Sequence, residues 1–497
     1  MIDPRTPVIV GVAQANEREL DSEPIVALTS VVNDALERTG APTTIASRVG
    51  SVRVLQGMWT YRDAGRLVAQ ECGFGAVQTT LSPVGGNEVY DLVNVTAADI
   101  QAGRLDAAVV CSSEVLRTTR RLRELGERQE RRPEPETAMP DHSYARGEQQ
   151  FDPDQIAVGA ILPVNFYAMI EAAMRHERGE SVEAHSKRIA DLWARASEVA
   201  VDNPYAASPH VVSGDDVATV SARNRIIAAP YTKLMTANID VDQAAAVVMC
   251  SFETARAAGV AADDMVFLSA GTGATETWEL TKRWALHESP AMRIAGQRIL
   301  ELSGCAIDEF DDIDLYSCFP SAVQLGQEYL EMGLDRPYTI TGGLTFSGGP
   351  FNSYCLQALA TACDRIRDGR SAQTLLTGNG GYFTKHAFVA LSTQPPVQGF
   401  RSARPQAEVD AGRHREPPTA APSRAAMETY TVTYDREGNA ETAIMTALDA
   451  DGCRHWSATD NADVVAALVD GDRIGATVHF DFSTSERADR PRVLKIE

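Results

Sequence analysis

Residues 341–354, TGGLTFSGGPFNSY, gather four glycines, a proline and several hydroxyl side chains, and run directly into the apolar stretch CLQALATACDRI. Gly342, Gly343, Gly348 and Gly349 permit backbone conformations and close approaches that a β-carbon forbids. A loop of this kind that ends at a helix N-terminus turns several N–H groups towards one point. That suits an anion, or the oxyanion of a carbonyl under attack. The same composition also serves a tight connection between packed elements, and the loop alone does not separate the two readings. No metal chemistry is expected beside it. The eight cysteines are scattered with no C-x-x-C pair, which argues against a zinc site and a disulfide framework and for buried reduced thiols.

Such a loop needs a scaffold, and at 497 residues the chain exceeds one ordinary core. Residues 7–14, PVIVGVAQ, predict a buried strand, and 24–39 predict a helix with Ile25, Leu28, Val32 and Leu36 at helical spacing. Another strand is expected at 51–56. Residues 85–101 open with two glycines and continue as a helix with Val89, Leu92, Val93 and Ala97 inward. Gly103 ends that helix, and 106–111, DAAVVC, is the next strand. This alternation predicts an α/β class with both sheet faces covered. The segment IQAGRLDAAVV at 100–110 returns as IRDGRSAQTLL at 366–376, each time after a Gly-Gly loop and a helix. Loop, helix, turn and strand recurring in one order predict two related halves.

Between the halves the character changes. Residues 117–136, RTTRRLRELGERQERRPEPE, predict a solvated helix or loop whose arginines could also meet a ligand's phosphates. Residues 166–200 are helical in composition and 206–218 form a polar connection; the α/β pattern resumes at 242–251 and 265–270. A Pro- and Arg-rich linker follows at 395–424, and short strands at 430–434, 443–450, 476–482 and 492–496 predict a small barrel of the OB type. The expected units are a first half at 1–119, an inserted helical loop domain at 120–235, a second half at 236–394, a linker at 395–427 and the barrel at 428–497.

The net charge of −22 argues against nucleic acid as a partner, and so does the net −7 of residues 428–497, which hold 14 acidic and 7 basic side chains. Docking on the core or on a protein partner suits that segment better. No apolar run reaches the roughly 18 to 20 residues of a membrane span, and MIDPRTPVIVGVAQ lacks the features of a signal peptide. The expected location is the cytoplasm.

With these residues in view the chain resembles the thiolase superfamily, especially its sterol-carrier-protein-X-type and mycobacterial thiolase-like branches. The resemblance rests on IQAGRLDAAVV, DQAAAVV after PYTKLMTANID, DLYSCFPSAVQ, GGLTFSGGP and TGNGGYFTKHA, and covers about residues 7–393. It implies a duplicated thiolase fold, five-layered αβαβα, with a loop domain over the site. It also implies Claisen-type chemistry on acyl-CoA thioesters, as in the acetyl-CoA acetyltransferases of lipid metabolism. No resident cofactor follows from it; CoA or acyl-CoA would be the ligand, and the chain would be a monomer or a homodimer.

The family's reagents are absent where its motifs place them. The nucleophilic cysteine of Cys-x-Ser falls on Gly86, and Cys111-Ser112-Ser113 follows a strand instead of opening a helix. The Asn-Glu-Ala-Phe or His-Asp-Cys-Phe motif reads Tyr316-Ser317-Cys318-Phe319, Gly-His-Pro reads Gly348-Gly349-Pro350, and the second cysteine falls within Leu376-Thr377-Gly378-Asn379-Gly380. Loss of a nucleophile–base unit costs orders of magnitude in rate, so ordinary thiolysis is not expected.

The expected catalytic candidates are therefore Tyr316, Cys318 and His386. Tyr316 is read as a general acid/base or a core phenol, Cys318 as a packed thiol or a displaced nucleophile, and His386 as a base or a structural histidine. Gly86, Glu88, Gly348, Gly349, Asn352, Tyr354 and Asn379 are the expected substrate-binding set. Glu88 alternatively serves the helix dipole, and Asn352 and Tyr354 alternatively cap the helix. Three functions follow: thioester binding with little or no activity, carbon–carbon cleavage without an acyl-enzyme, or acyl transfer through Cys318. A scaffold that recruits a partner through the C-terminal domain is the non-enzymatic alternative.

Overall fold

The computed structural model describes residues 2–16, 23–143, 151–419, 422–481 and 492–497. In the first half the β-branched run forms β1 (Pro7–Asn16), followed by α1 (Pro24–Glu37), β2 (Val49–Val54), β3 (Gln78–Leu81), α2 (Glu88–Gln101) and β4 (Ala107–Val115). The insertion supplies two long helices, α3 (Pro163–Glu177) and α4 (Val182–Val201), ahead of β5 (Asp242–Ser251). The second half contains β6 (Val266–Thr275), α5 (Pro290–Ser303), β7 (Asp312–Asp314), α6 (Pro320–Tyr329), α7 (Tyr354–Arg367), β8 (Gln373–Gly380) and β9 (Lys385–Ser392).

Strand pairing repeats between the halves. β2 and β4 run parallel, β4 and β5 antiparallel, and β5 and β1 antiparallel. In the second half β7 and β8 run parallel, β8 and β9 antiparallel, and β9 and β6 antiparallel. A short pairing of Val8 with Phe267 and Ile9 with Val266 joins the two sheets at β1 and β6. Helices α2 and α7 lie between the sheets and touch strands of both halves, while α1 covers β1, β4 and β5 outside and α5 covers β6 and β9. The result is the expected five-layered αβαβα arrangement. Burial on both faces explains why β4 and β5 read as near-continuous apolar runs. β4 nevertheless runs on past Cys111 through Ser112, Ser113 and Glu114, all buried although polar. Their polarity hid the end of the strand from the sequence pattern.

The C-terminal unit comprises β10 (Arg424–Tyr434), β11 (Ala440–Leu448), β12 (Arg454–Thr459), α8 (Ala462–Asp470), β13 (Thr477–Asp481) and β14 (Arg492–Ile496). Its sheet has the order β12-β11-β10-β13-β14 with every one of these pairs antiparallel. The insertion contributes Ile226–Ala228, paired to β10. Phe482, expected to close one strand, lies outside the described residues. β10 begins six residues before the expected Tyr430, because Ala425, Met427 and Thr429 face inward without forming an obvious apolar alternation.

This unit is fastened to the rest. The fully buried Arg454 pairs with Glu428 at 2.6 Å and donates to the carbonyls of Leu280 and Arg283, while Trp456 Nε1 donates to Thr281 Oγ1. Residues expected as a linker also lie against the core: Gln406 bonds both Thr275 N and Thr275 O, and Arg404 pairs with Asp91 at 2.6 Å. Among the described residues no helix is long and apolar enough to cross a membrane.

Candidate functional site

The site forms where the turn before α2 meets the C-terminal end of β8. Gly378 and Gly380 allow that approach: a β-carbon on Gly380 would stand 2.9 Å from Gly85 Cα, and one on Gly378 would stand 3.1 Å from Asn87 Cα. At Gly86 the constraint is sharper. A β-carbon there would lie 2.5 Å from Tyr316 Oη and 2.6 Å from the carbonyl oxygen of Asn379. The phenol of Tyr316 thus fills the space that any side chain at position 86 would need.

Tyr316 is held by its backbone N–H, which donates to Thr377 Oγ1 at 2.9 Å, and by an edge-to-face contact with Tyr354 at 5.8 Å. Its hydroxyl makes no hydrogen bond among the described residues. Burial, with smaller contributions from Cys318 and Cys355, holds its pKa well above the ordinary tyrosine value. At neutral pH Tyr316 is a free hydrogen-bond donor.

Cys318 and Asn379 stand beside it. Burial pushes the Cys318 thiol up to about 12, although hydrogen bonds with Tyr167 and Asn379 oppose the shift. A neutral thiol is a poor nucleophile. Asn379 Nδ2 donates to Tyr167 Oη at 2.8 Å and lies 3.7 Å from Cys318 Sγ, while its buried Oδ1 has no partner. The ring of Phe319 is stacked between Tyr167 at 4.6 Å and Tyr231 at 5.5 Å. Behind that stack Tyr231 donates to the buried Glu171 and meets Ser321 Oγ at 2.9 Å, and Gln324 Nε2 donates to Glu171 at 2.7 Å, so the insertion is braced against α6.

The other expected residues divide around this group. Asn352 accepts from Gly85 N at 3.0 Å and donates to the Gln56 carbonyl at 2.6 Å, tying the turn of the first half to the loop of the second. It does not cap its helix, whose N-cap is Ser353. Glu88, half-buried at the start of α2, accepts from Asn87 Nδ2 at 3.0 Å. Tyr354 is buried and donates to Asp314 Oδ1 at 2.9 Å, so it braces the scaffold instead of lining the opening. Gly348 has φ +117°, and a β-carbon there would meet Gln243 Oε1 at 2.4 Å. At Gly349 the nearest atoms to a β-carbon are Ala237 Cβ and Leu344 O, not those of Tyr316.

His386 is buried, with Nε2 3.0 Å from Ser289 Oγ and Nδ1 unpartnered. Burial, reinforced by Arg283, lowers its pKa to about 3, so the ring is neutral. It contacts Phe383, centroids 4.8 Å apart, and stands opposite Asn379 in the antiparallel register of β8 and β9, so it borders the Tyr316 group through Asn379. The structure therefore gathers Gly86, Tyr316, Cys318 and Asn379, sets Asn352 and Glu88 beside them, and pairs His386 with Asn379 on the neighbouring strand.

Sequence reasoning missed Tyr167, Gln243 and Glu114. Tyr167 sits in an ordinary helical run with no local signal. Glu114 did carry one, as a carboxylate within three residues of the apolar run that ends at Cys111. No group of three or more His, Cys, Asp or Glu among the described residues could hold a metal. A cleft of about 700 Å³, lined in part by Arg38, Tyr205 and Arg365, shares none of the candidate residues.

Residues 405–482 match the family described as the thiolase-like protein type 1 additional C-terminal domain. Across its whole length the chain is similar to a monomeric SCP2-thiolase-like protein type 1 from Mycobacterium smegmatis, at 30% identity and TM-score 0.84, covering 99% of this chain and 100% of that one. It shares its fold with an Ltp2-ChsH2(DUF35) aldolase at 18% identity and TM-score 0.57, over 78% of this chain and 98% of that one. No curated protein matches the sequence.

Proposed function

Because the chain belongs to the SCP2-thiolase-like proteins of type 1, we propose that it binds CoA thioesters at the Gly86–Tyr316 site and acts on them without an acyl-enzyme. One observation carries this reading: Tyr316 Oη stands where the nucleophile of a thiolase would project from position 86. An acyl-sulfur bond has neither an atom to form on nor room to form in. What occupies the place is a protonated phenol with an unused hydroxyl, suited to donate to a thioester carbonyl and to the enolate formed from it.

That chemistry fits carbon–carbon cleavage of a β-hydroxyacyl thioester. A base takes the hydroxyl proton, the Cα–Cβ bond breaks as the new carbonyl forms, and its electrons enter the thioester enolate. Protonation at Cα then releases a shorter acyl-CoA. The aldolase relative in fold favours this route over a purely binding role. Acyl transfer through Cys318 is disfavoured by the thiol's burial and protonation.

The test is direct. Calorimetry is expected to show CoA-thioester binding by the wild type, and Tyr316→Phe is expected to slow cleavage of a β-hydroxyacyl-CoA by roughly 100- to 1,000-fold, the loss typical of one oxyanion donor. Robust acetyl-CoA formation from acetoacetyl-CoA and CoA, abolished by Cys318→Ala, would overturn the proposal. Absence of any CoA-thioester binding would leave the scaffold role.

A further inference from the structure

Glu114 lies on the inner face of β4 and is only 1% exposed. Register pairs it with Gln243 of β5, and opposed residues of an antiparallel pair share a face. Gln243 is the residue that lies against Gly348, and its Nε2 donates to the Ser347 carbonyl at 2.8 Å. On its other side Glu114 Oε1 accepts from Met58 N at 2.7 Å, in the same short loop whose Gln56 carbonyl is bonded by Asn352. Asn352 in turn holds Gly85. The carboxyl group therefore sits between the two loops that frame the site.

Its surroundings are short of partners. Glu114 makes that single hydrogen bond among the described residues, and no ion pair. On the same inner face Ser112 Oγ and Gln243 Oε1 are buried without partners, as are both ends of the Gln357 side chain. Gln357 lies one turn before Thr361 on α7, and Thr361 accepts from Gln14, which is in register with Ala245, two residues along from Gln243. Helix geometry thus lays Gln357 over the same patch of β5. A buried carboxyl with one donor is costly and does nothing for the fold that a glutamine would not do. Unmatched buried polar atoms gathered on one face mark a place that water or a substrate hydroxyl completes.

We propose that Glu114 is the proton acceptor of the thioester site, working from this patch of unmatched polar groups beside the Gly348 loop. The inference rests on the functional reading above and names the base that it requires. The substrate's β-hydroxyl proton passes to the Glu114 carboxylate, the Cα–Cβ bond breaks, the β-carbon becomes a carbonyl and Tyr316 holds the enolate. The proton then returns to the enolate carbon, so no external oxidant or reductant is needed. Burial, opposed only by the Met58 N–H, pushes Glu114 up to about 8, close to the value that serves a base near neutral pH. Past the end of β4, Arg117 pairs with Asp242 of β5 at 3.7 Å, and the framing loops 56–58 and 347–353 carry no ionisable group.

The experiment compares Glu114→Gln with the wild type on a β-hydroxyacyl-CoA, with calorimetric binding of the same compound measured for both. Gln keeps an acceptor for Met58 N, so fold and affinity are expected to hold, whereas the rate is expected to fall by roughly 100-fold or more. The wild-type rate should rise with pH through a midpoint near 8 as the carboxyl ionises, and that limb should vanish in the variant. Retention of both rate and limb in Glu114→Gln overturns the inference while leaving the site standing. A wild type that binds the thioester and cleaves nothing overturns it too, and a wild type that binds no thioester sinks the functional reading with it.

Discussion

The turn that opens α2 and the loop that opens α7 hold equivalent places in the two halves, yet they treat their polar groups in opposite ways. In the second half Asp314 is buried and accepts from Ile340 N, Thr339 Oγ1 and Tyr354 Oη, and Thr339 Oγ1 itself accepts from the amides of Thr341, Gly342 and Gly343. Around the first-half turn the Tyr316 hydroxyl is unused, and Asn87 Oδ1 and Asn379 Oδ1 are buried without partners. Matched buried networks fix a shape, and unmatched ones await an occupant. Residues 339–343, where the glycine-rich loop begins, are thus a matched wall, and the unmatched groups gather at the quieter GGN turn and, past Gly348, at Gln243.

The sharpest way to break this comparison is to cut the matched network. Asp314→Ala strands three buried donors at about 1–2 kcal/mol each, so a loss of roughly 3–5 kcal/mol is expected from denaturant unfolding. A smaller effect follows from pH. Burial raises Asp314 from 3.8 to about 6, so the folded state holds its proton more tightly than the unfolded chain. Its contribution is therefore fully present below pH 3.8 and is lost as pH rises towards 6, by about 3 kcal/mol in total. The stability difference between the wild type and Asp314→Asn should shift over that window and stay flat above it; a flat difference throughout would deny the burial of the charge.

On the first-half side, Gly86→Cys places a thiol at the position where the thiolase Cys-x-Ser motif aligns. The new side chain must displace Tyr316 or the Asn379 carbonyl, and overpacking of this kind costs about 1–3 kcal/mol. No thiolysis should appear. Adding Tyr316→Gly should recover only part of the stability, since the carbonyl at 2.6 Å remains. Full recovery with thiolase activity would show that the phenol alone blocks the older chemistry.

Much of this was legible in the sequence, for reasons that can be named. The duplication showed because a helix end, a Gly-Arg turn and an apolar strand recur in order, and strand polarity repeats with them. Tyr316 and Gly86 were reachable as separate residues, but their contact was not, because they lie 230 positions apart and only the packing of the halves joins them. Tyr354 reads as a site residue from its place after the loop, and folding turns its hydroxyl to Asp314 instead. His386 is singled out by its motif, and its pairing with Asn379 across β8 and β9 is one that no spacing rule reveals. The segment 395–427 looked like a linker because it holds few apolar residues; polar contacts such as Gln406 with Thr275 fasten it without any.

The smallest effects give the finest test, because two tyrosines lose the same atom in the two halves. Tyr354→Phe removes a donor from Asp314 and a partner from Thr341, both buried, and about 1–2 kcal/mol should go with it. Tyr316→Phe removes a hydroxyl that bonds to nothing in the protein, so the folded state loses no partner and stability should change by less than about 0.5 kcal/mol in either direction. Thioester chemistry should respond in the reverse order, with Tyr316→Phe crippling turnover and Tyr354→Phe affecting it only through the scaffold. Equal stability losses in the two variants would mean that the Tyr316 hydroxyl has a protein partner after all. The distinction between a matched wall and an unmatched opening would then have no basis.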